Sequence, residues 1–206
     1  MMKNIQTIIF DLGGVIINLK SEKEWLEEDL LPNFHAEKLQ QLHRNNFFHN
    51  FETGKITVPD FILYLKNIAI DKNISDEQLI GNWNGILKDI PKHRIEFLQQ
   101  LKLNYTLILL SNTNHLHMNA IREYMIQKFG EDVLESTFHR CYYSQEIGLR
   151  KPHKEIFHYV LKSENIMAAD CLFLDDKNEN LTEPSKMGIR TELVSGDISE
   201  TVALLI

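Results

Sequence analysis

The sequence predicts an α/β protein, with a Rossmann-like, mostly parallel sheet that has helices on both faces and an all-helical cap inserted after the first strand. Three observations lead to this prediction. The chain opens with a short apolar run without alternation, Thr7 to Phe10, typical of a strand buried on both faces. The next stretch, to about residue 91, carries apolar residues at helical spacing. Beyond it, strand and helix patterns alternate.

Length and composition place the chain among ordinary globular proteins. It has 206 residues, of which 43% are apolar and 25% are charged, which suits one domain with a sizeable insertion. There are 29 acidic and 22 basic residues, so the net charge is −7. This charge gives no overall attraction to nucleic acid or to an anionic membrane. We therefore expect neither nucleic acid nor a membrane as a partner, and any anionic small molecule must be held by a local site.

Two further features bear on where the protein works. No apolar run reaches the roughly 20 residues that a membrane-spanning helix needs, and the N-terminus lacks the pattern of a signal peptide. The two cysteines, Cys141 and Cys171, lie in apolar stretches and are expected to be reduced and structural. We predict a cytoplasmic protein, and the sequence leaves its oligomeric state open.

The predicted cap comprises residues 19–91, and we expect four helices within it. Two of the helix starts carry clear signals. Thr57 is an N-cap candidate followed by Pro59, which the first turn of a helix tolerates. Ser75 and Gln78 match a capping box.

The predicted catalytic core comprises residues 1–18 and 92–206, where helices and strands take turns. The second part of this core, residues 92–206, begins with apolar residues at helical spacing. The elements expected after these residues are a strand at 105–110, a helix at 114–129, a strand at 138–143, a helix from Pro152, and strands at 171–174 and 191–194.

Polar residues follow four of the predicted strands, and ligands of open parallel sheets bind beyond the carboxyl ends of the strands. In chain order these residues are Asp11 with Gly13, Ser111 with Asn112, Lys151, and Asp175 with Asp176. Two adjacent carboxylates repel each other, and Mg²⁺ is the usual ion that makes such a pair tolerable. A hydroxyl group, the N–H groups that begin the next helix and a lysine can together bind a phosphoryl group.

These segments resemble the motifs of the haloacid dehalogenase (HAD) superfamily in their order and spacing. The matching segments are Ile8 to Val15, Leu110 to Asn114, Lys151 to Pro152, and Phe173 to Asp176. The motif sequences are most similar to those of the helical-cap sugar-phosphate phosphatases of the α-D-glucose-1-phosphate phosphatase type. The resemblance spans nearly the whole chain. It implies a Mg²⁺-dependent phosphatase of a small phosphorylated metabolite, with a sugar phosphate as the expected substrate.

The resemblance also implies a role for each residue. Catalysis would proceed through an aspartyl-phosphate on Asp11, with Lys151 as the second catalytic residue. Mg²⁺ would be held by the carboxylates of Asp11 and Asp176 and the backbone carbonyl of Gly13, with Asp175 either a direct ligand or bridged by water. The substrate would be bound by the side chains of Ser111, Asn112 and Lys151.

Gly13 departs from the family pattern. Most phosphatases of the superfamily have Asp two residues after the nucleophile. This Asp protonates the leaving oxygen and then activates water, which raises the reaction rate by about 10² to 10⁴-fold. Gly13 carries no such group. We hypothesise that the enzyme prefers anomeric or acyl phosphates, whose leaving oxygen needs less protonation, or that another residue acts as the base. The candidates for that residue are His43, His49 and His115.

Two other functions stay open on this evidence. One is a metal-independent 2-haloacid dehalogenase, in which the carboxylate of Asp11 displaces halide from carbon. Gly13 permits this reaction, but the pair Asp175 and Asp176 argues against it because a metal-binding pair has no task there. The other is a catalytically weak regulatory protein that binds a phosphorylated metabolite, as the missing acid–base group would suggest.

Two further segments are candidates for contact with the substrate. Residues 47–55 are rich in aromatic side chains and include Glu52 and a glycine turn at Gly54. They resemble the loop by which family caps face the active site, and they either contact the substrate or pack as a turn between helices. Asn180 either caps the helix after the fourth strand or reaches the site.

Overall fold

Five parallel strands form the sheet, in the order β3-β2-β1-β4-β5. The computed structural model describes residues 5–44 and 46–203, without the side chains of residues 40, 42–44 and 203. The strand at the centre pairs with β2 on one side and β4 on the other. The predicted α/β class is confirmed, and each predicted strand is found within two residues of its expected limits. The strands are Thr7–Phe10 (β1), Thr106–Ser111 (β2), Arg140–Tyr143 (β3), Cys171–Asp175 (β4) and Arg190–Leu193 (β5).

The central strands are buried on both faces because helices cover both sides of the sheet. All residues of β1 and β4 are buried. Along β1, Ile8 and Phe10 belong to one hydrophobic cluster and Ile9 belongs to another on the opposite face. A strand with apolar neighbours on both sides needs no polar alternation, which explains the continuous apolar run in the sequence.

The segment between β1 and the second strand begins with helices that share one hydrophobic cluster. Our prediction of four helices is wrong, because five α-helices are found among the described residues and the aromatic segment after residue 46 is itself helical. The predicted starts at Thr57 and Ser75 are confirmed, since each side chain accepts a hydrogen bond from the N–H three residues later. The helices are Glu22–Trp25 (α1, continued by a π-helical turn at Leu26–Leu30), Ala36–Arg44 (α2), Phe47–Glu52 (α3), Val58–Ile68 (α4) and Asp76–Asn84 (α5).

The two connections between this helical segment and the sheet bond to each other. Leu19 and Leu87 form an antiparallel bridge, and the N–H of Lys20 donates to the carbonyl oxygen of Ile86 at 2.9 Å. The chain therefore leaves and re-enters the sheet domain through paired segments. The domain limits at residues 18/19 and 91/92 stay predictions.

Seven further α-helices among the described residues accompany the sheet. The helix that we expected from Pro152 begins two residues later, because residues 151–153 form a turn. The backbone of Lys151 is held in that turn by a side chain from another element, which the next subsection describes. The helices are Lys92–Leu101 (α6), His115–Phe129 (α7), Val133–Thr137 (α8), Ser144–Ile147 (α9), Lys154–Glu164 (α10), Asn178–Lys186 (α11) and Ile198–Ala203 (α12).

Two predictions about the whole chain can also be compared with the structure. Cys141 and Cys171 are free thiols, and burial raises the pKa of Cys141 to about 12 and that of Cys171 to about 11. Such thiols stay protonated and unreactive, as expected of structural cysteines. Over the described part of the chain, every helix is too short or too polar to cross a bilayer.

Candidate active site

The predicted site residues come together at the carboxyl edge of the sheet. Asp11 follows β1, Ser111 ends β2 and Asp175 ends β4. Lys151 reaches the same edge from the turn before α10. Asp11, Ser111 and Lys151 line a cavity of about 280 Å³. The chain crosses from one side of β1 to the other between β3 and β4, and open α/β sheets bind their ligands at such a crossing.

Lys151 is at the centre of the polar network. Its Nζ donates to Oδ1 of Asp11 and to Oδ2 of Asp175, both at 2.7 Å. Lys151 is 1% exposed, Asp175 0% and Asp11 8%. Burial alone would lower the pKa of Lys151, but the two carboxylates outweigh it and raise that pKa. The ammonium group therefore stays charged.

Asn112 holds Lys151 through its backbone. The Nδ2 of Asn112 donates to the carbonyl oxygen of Lys151 at 2.8 Å, and its Oδ1 accepts from the N–H of Lys151 at 2.9 Å. Both ends of the amide are thus bonded to the lysine, 39 residues away in the chain. In this structure the Asn112 side chain positions Lys151, and a direct contact between Asn112 and the substrate stays a prediction.

Asp175 accepts four hydrogen bonds. Its Oδ1 accepts from the N–H of Lys177 at 2.8 Å and from Nδ2 of Asn180 at 2.9 Å. Its Oδ2 accepts from Asn180 at 3.0 Å and from Lys151 at 2.7 Å. Asn180, which the sequence offers as a cap or as a site residue, therefore lies at the site in the first turn of α11. The carboxylate of Asp175 is fixed and neutralised by the protein itself.

Asp176, by contrast, has a buried oxygen without a donor. Its Oδ1 accepts no hydrogen bond from the residues that the structure describes, and burial together with Asp175 raises the pKa of Asp176. Gly14, at φ +74°, makes room for this carboxylate, because a Cβ there would lie 2.4 Å from Oδ2 of Asp176. A buried carboxylate oxygen requires a partner, and a cation is one that can supply it.

Three carboxylates are clustered here. Asp11, Asp175 and Asp176 each place an oxygen within 4.8 Å of the others, and Gly13 lines the cavity beside Asp11. Burial raises the pKa of Asp11 to about 7. The charge of Lys151 lowers this pKa, whereas repulsion from the other two carboxylates raises it. A set of oxygen ligands with excess negative charge fits a hard divalent cation such as Mg²⁺.

The raised pKa of Asp11 predicts a pH-dependent stability of the metal-free protein. The folded-state pKa of Asp11 is about 7, against the ordinary 3.8. The folded protein therefore binds the carboxyl proton of Asp11 more tightly than the unfolded protein does. The charged carboxylate therefore lowers the free energy of unfolding as the pH rises from about 4 to about 7. In EDTA, Asp11→Asn is expected to gain stability over wild type progressively through this range, measured by urea unfolding. A stability difference that stays constant would contradict this.

Of the three histidines that the sequence offers for proton transfer, the two with described side chains do not line the cavity. His115 is exposed, and His49 is half-buried elsewhere. The side chain of His43 lies outside the described residues. His117 and Glu52 line the cavity instead.

His117 joins α5 to α7 at the cavity wall. Its ring stacks on Trp83 with 5.6 Å between the centroids, and its Nδ1 lies 2.8 Å from Oδ1 of Asn84. Burial lowers the pKa of His117 to about 4, so the ring is neutral at physiological pH. Our sequence prediction missed this residue, because its partners in α5 are brought to it only by the tertiary fold.

Glu52 is a residue of the helical segment that lines the cavity. It ends α3 and is 7% exposed, and its Oε2 accepts from Nε of Arg150 at 3.1 Å. Burial raises the pKa of Glu52, against the opposing effects of Arg150, Lys177 and Lys151. Both members of the pair line the cavity, so this part of the 47–55 segment faces the site.

Gly54 lets the turn after α3 lie directly on the sheet domain. It has φ +68°, and a Cβ there would lie 2.3 Å from the backbone oxygen of Gln145 in α9. Glycine alone combines this backbone conformation with such a close approach. The turn therefore helps to fix Glu52, two residues earlier, above the cavity.

Comparisons with known proteins agree with this geometry. The D-ribitol-5-phosphate phosphatase of Bacteroides thetaiotaomicron is 26% identical over 188 residues, which cover 91% of this chain and 90% of that protein. A HAD family enzyme of the same species, solved in complex with magnesium and inorganic phosphate, has a TM-score of 0.81 at 30% identity and covers 95% of this chain and 98% of its own. A HAD-like family hydrolase of Porphyromonas gingivalis has a TM-score of 0.83 at 25% identity, with 98% and 97% covered.

The family itself is shown by a model that spans most of the chain. The model of the haloacid dehalogenase-like hydrolases matches residues 5–182, a range that contains all the predicted motif residues. The resemblance inferred from these motifs is thereby confirmed, and the protein is a hydrolase. The chain belongs to the haloacid dehalogenase-like hydrolase family.

Proposed function

We propose that this hydrolase is a Mg²⁺-dependent phosphatase of a small phosphorylated metabolite. The observation that carries the proposal is that Oδ1 of Asp176, beside the carboxylates of Asp11 and Asp175, has no hydrogen-bond donor among the described residues. A cation site suits phosphoryl transfer, whereas halide displacement from carbon needs none. The similarity to a named phosphatase and to an enzyme solved with magnesium and phosphate supports the same choice.

The residues present would hold the ion in different ways. Asp11, Asp176 and the backbone carbonyl of Gly13 are the proposed direct ligands. Asp175 already accepts four hydrogen bonds, so we assign it to a contact through water. Bound Mg²⁺ neutralises phosphoryl oxygens so that an anionic nucleophile can approach phosphorus.

Asp11 supplies that nucleophile. A carboxylate oxygen of Asp11 forms a bond to phosphorus as the alcohol leaves, and water then hydrolyses the aspartyl-phosphate. Lys151 opposes protonation of this carboxylate and orients it through its 2.7 Å contact with Oδ1. Ser111 lines the cavity, and we assign its hydroxyl group to bind a phosphoryl oxygen, together with the N–H groups at the start of α7.

We infer a sugar or polyol phosphate as the substrate class. The cavity of about 280 Å³ suits a small metabolite. Beyond the phosphoryl site it carries a carboxylate, a guanidinium group and a neutral imidazole, from Glu52, Arg150 and His117. Such groups bind hydroxyl groups through hydrogen bonds.

Phosphate release from a panel of esters tests this function. The panel comprises D-ribitol 5-phosphate, a sugar 1-phosphate, a sugar 6-phosphate and p-nitrophenyl phosphate, each with Mg²⁺ or EDTA, and 2-haloacids assayed for halide. We expect phosphate release with Mg²⁺ only. Halide release that survives EDTA would identify a dehalogenase. Silence on the whole panel would favour a regulatory protein that only binds a phosphorylated metabolite.

Substitution of Asp176 tests the metal site. Asp176→Asn removes a charged ligand and is expected to weaken Mg²⁺ binding by at least about tenfold. Calorimetric titration and the Mg²⁺ concentration at half-maximal activity both measure this. Asp170→Asn, at the opposite end of β4, is the matched control and should bind Mg²⁺ as wild type does. Unchanged affinity in Asp176→Asn would refute the assignment.

A further inference from the structure

Gly13 leaves the phosphatase reaction without the proton donor that usually follows the nucleophile. We propose that Glu52, at the end of α3, replaces it, protonating the leaving oxygen and then activating the water that hydrolyses the aspartyl-phosphate. This inference rests on the proposed function and names a catalytic residue for it.

The other acids around the cavity do not fit this role. Apart from the carboxylates of the proposed metal site, the acidic side chains that line the cavity among the described residues are Glu22, Glu52 and Glu179. Glu22 and Glu179 are exposed to solvent, whereas Glu52 is buried. Burial favours the neutral form of a carboxyl group, which is the form that can donate a proton. Glu52 alone combines this environment with a position on the cavity wall.

His117 does not fit the role either. Its Nδ1 faces Oδ1 of Asn84 at 2.8 Å, and a carbonyl oxygen can only accept a hydrogen bond. With the Asn84 amide in this orientation, the single proton of the neutral ring lies on Nδ1 and Nε2 carries a lone pair. His117 has no proton to give to a leaving oxygen.

Arg150 ties Glu52 to the catalytic lysine. It directly precedes Lys151 in the chain and donates to Oε2 of Glu52 at 3.1 Å, while Oε1 has no hydrogen-bond partner among the described side chains. The charge of Lys151, whose Nζ touches Asp11, also acts on Glu52. Arg150 therefore anchors one carboxyl oxygen of Glu52. The other oxygen is available for proton transfer, close enough to Lys151 to feel its charge.

The two proton transfers balance. In the first step an oxygen of Asp11 bonds to phosphorus, the bond from phosphorus to the leaving oxygen breaks, and the proton of Glu52 moves to that oxygen. In the second step Glu52 takes a proton from water, the water oxygen bonds to phosphorus, and the bond to Asp11 breaks. Between the steps Glu52 is ionised, and the guanidinium group of Arg150 stabilises its charge.

The test compares two esters in Glu52→Gln, which keeps the size of the side chain and an acceptor for Arg150 but has no acidic proton. On D-ribitol 5-phosphate, whose alkoxide is a poor leaving group, kcat/KM is expected to fall about 10² to 10⁴-fold. On p-nitrophenyl phosphate, whose phenolate leaves with little help, the first step should persist. We then expect a burst of one equivalent of p-nitrophenol followed by slow turnover, because hydrolysis of the aspartyl-phosphate lacks its base.

A rescue variant and a control complete the experiment. Gly13→Asp places a carboxyl group where most family phosphatases have it, and its Cβ would meet only the end of the Leu19 side chain, at 2.8 Å from Cδ1. The double variant Gly13→Asp with Glu52→Gln is expected to recover at least about tenfold of the lost activity on the alkyl ester. Glu37→Gln, exposed on α2, should behave as wild type.

The outcomes distinguish a failure of the role of Glu52 from a failure of the proposed phosphatase function. Thermal unfolding first establishes that Glu52→Gln is folded, because a misfolded variant would also lose activity equally on both esters and show no burst. Equal losses on both esters without a burst, and no rescue by Gly13→Asp, would overturn the role of Glu52 and leave it a positioning residue. A wild-type protein without Mg²⁺-dependent phosphate release would overturn the proposed function itself, and this assignment with it.

Discussion

Asp11→Asn is expected to lower kcat by about 10⁴-fold or more, as does removal of a covalent nucleophile in other hydrolases. An amide is a far weaker nucleophile than a carboxylate. The fold should persist, because the substitution removes a charge that is costly to bury, leaves Lys151 paired with Asp175 and leaves the apolar packing unchanged. Phosphate release and thermal unfolding measure the two effects.

The control for this experiment is Asp170→Asn, which makes the same chemical change at the amino end of β4. It is expected to retain wild-type turnover. Activity of Asp11→Asn within tenfold of wild type would exclude Asp11 as the nucleophile. An unfolded Asp11→Asn protein would contradict the view that Asp11 serves chemistry at a cost to stability.

Lys151→Met is expected to have the second large effect, on stability as well as turnover. The variant keeps an apolar stem but removes the ammonium that lies 2.7 Å from both Asp11 and Asp175. Asp175 is fully buried, and loss of one partner from a buried ion pair costs about 3–5 kcal/mol. Urea unfolding at neutral pH measures the loss. It should be smaller at low pH, where the carboxylates can take up protons.

A surface lysine three residues later provides the control for this variant. Lys154→Met, at the exposed start of α10, is expected to change stability by less than about 1 kcal/mol. If Lys151→Met were as stable as this control, the network around Lys151 would not hold the site together. Retained turnover in Lys151→Met would refute its assigned part in catalysis.

Two explanations of Gly13 now make different predictions. If the enzyme relies on leaving groups that need little protonation, anomeric phosphates should react much faster than primary alkyl esters. If Glu52 supplies the proton, a primary ester such as D-ribitol 5-phosphate should react at a comparable rate. The ratio of the two rates in wild type therefore distinguishes the explanations.

The fold and the central residues of the site were predictable because they depend on short-range pattern. The run Thr7 to Phe10 is apolar throughout because β1 is covered on both faces. Since parallel strands end at one edge, residues after these ends, such as Asp11 and Asp175, meet there whatever the details of the connecting helices. Their convergence follows from the topology alone.

The contacts that could not be predicted join distant parts of the chain. Glu52 and Arg150 are 98 residues apart, and they meet only because the helical segment docks on the sheet domain through Gly54. His117 and Asn84 are 33 residues apart and meet for the same reason. No local spacing encodes such docking. The helix α3 was missed because its cluster of aromatic residues follows no single amphipathic stripe.

Transfer of the phosphoryl group to Asp11 is tested most directly by the mass of the peptide that contains this residue. Enzyme, Mg²⁺ and excess D-ribitol 5-phosphate, or the best ester of the panel, are mixed and quenched in acid before one turnover is complete. We predict that the peptide gains the mass of one phosphoryl group, and that EDTA or Asp11→Asn abolishes the gain. Phosphate release at the full rate with an unmodified peptide at every quench time, or a phosphoryl group on another residue, would contradict the proposed mechanism.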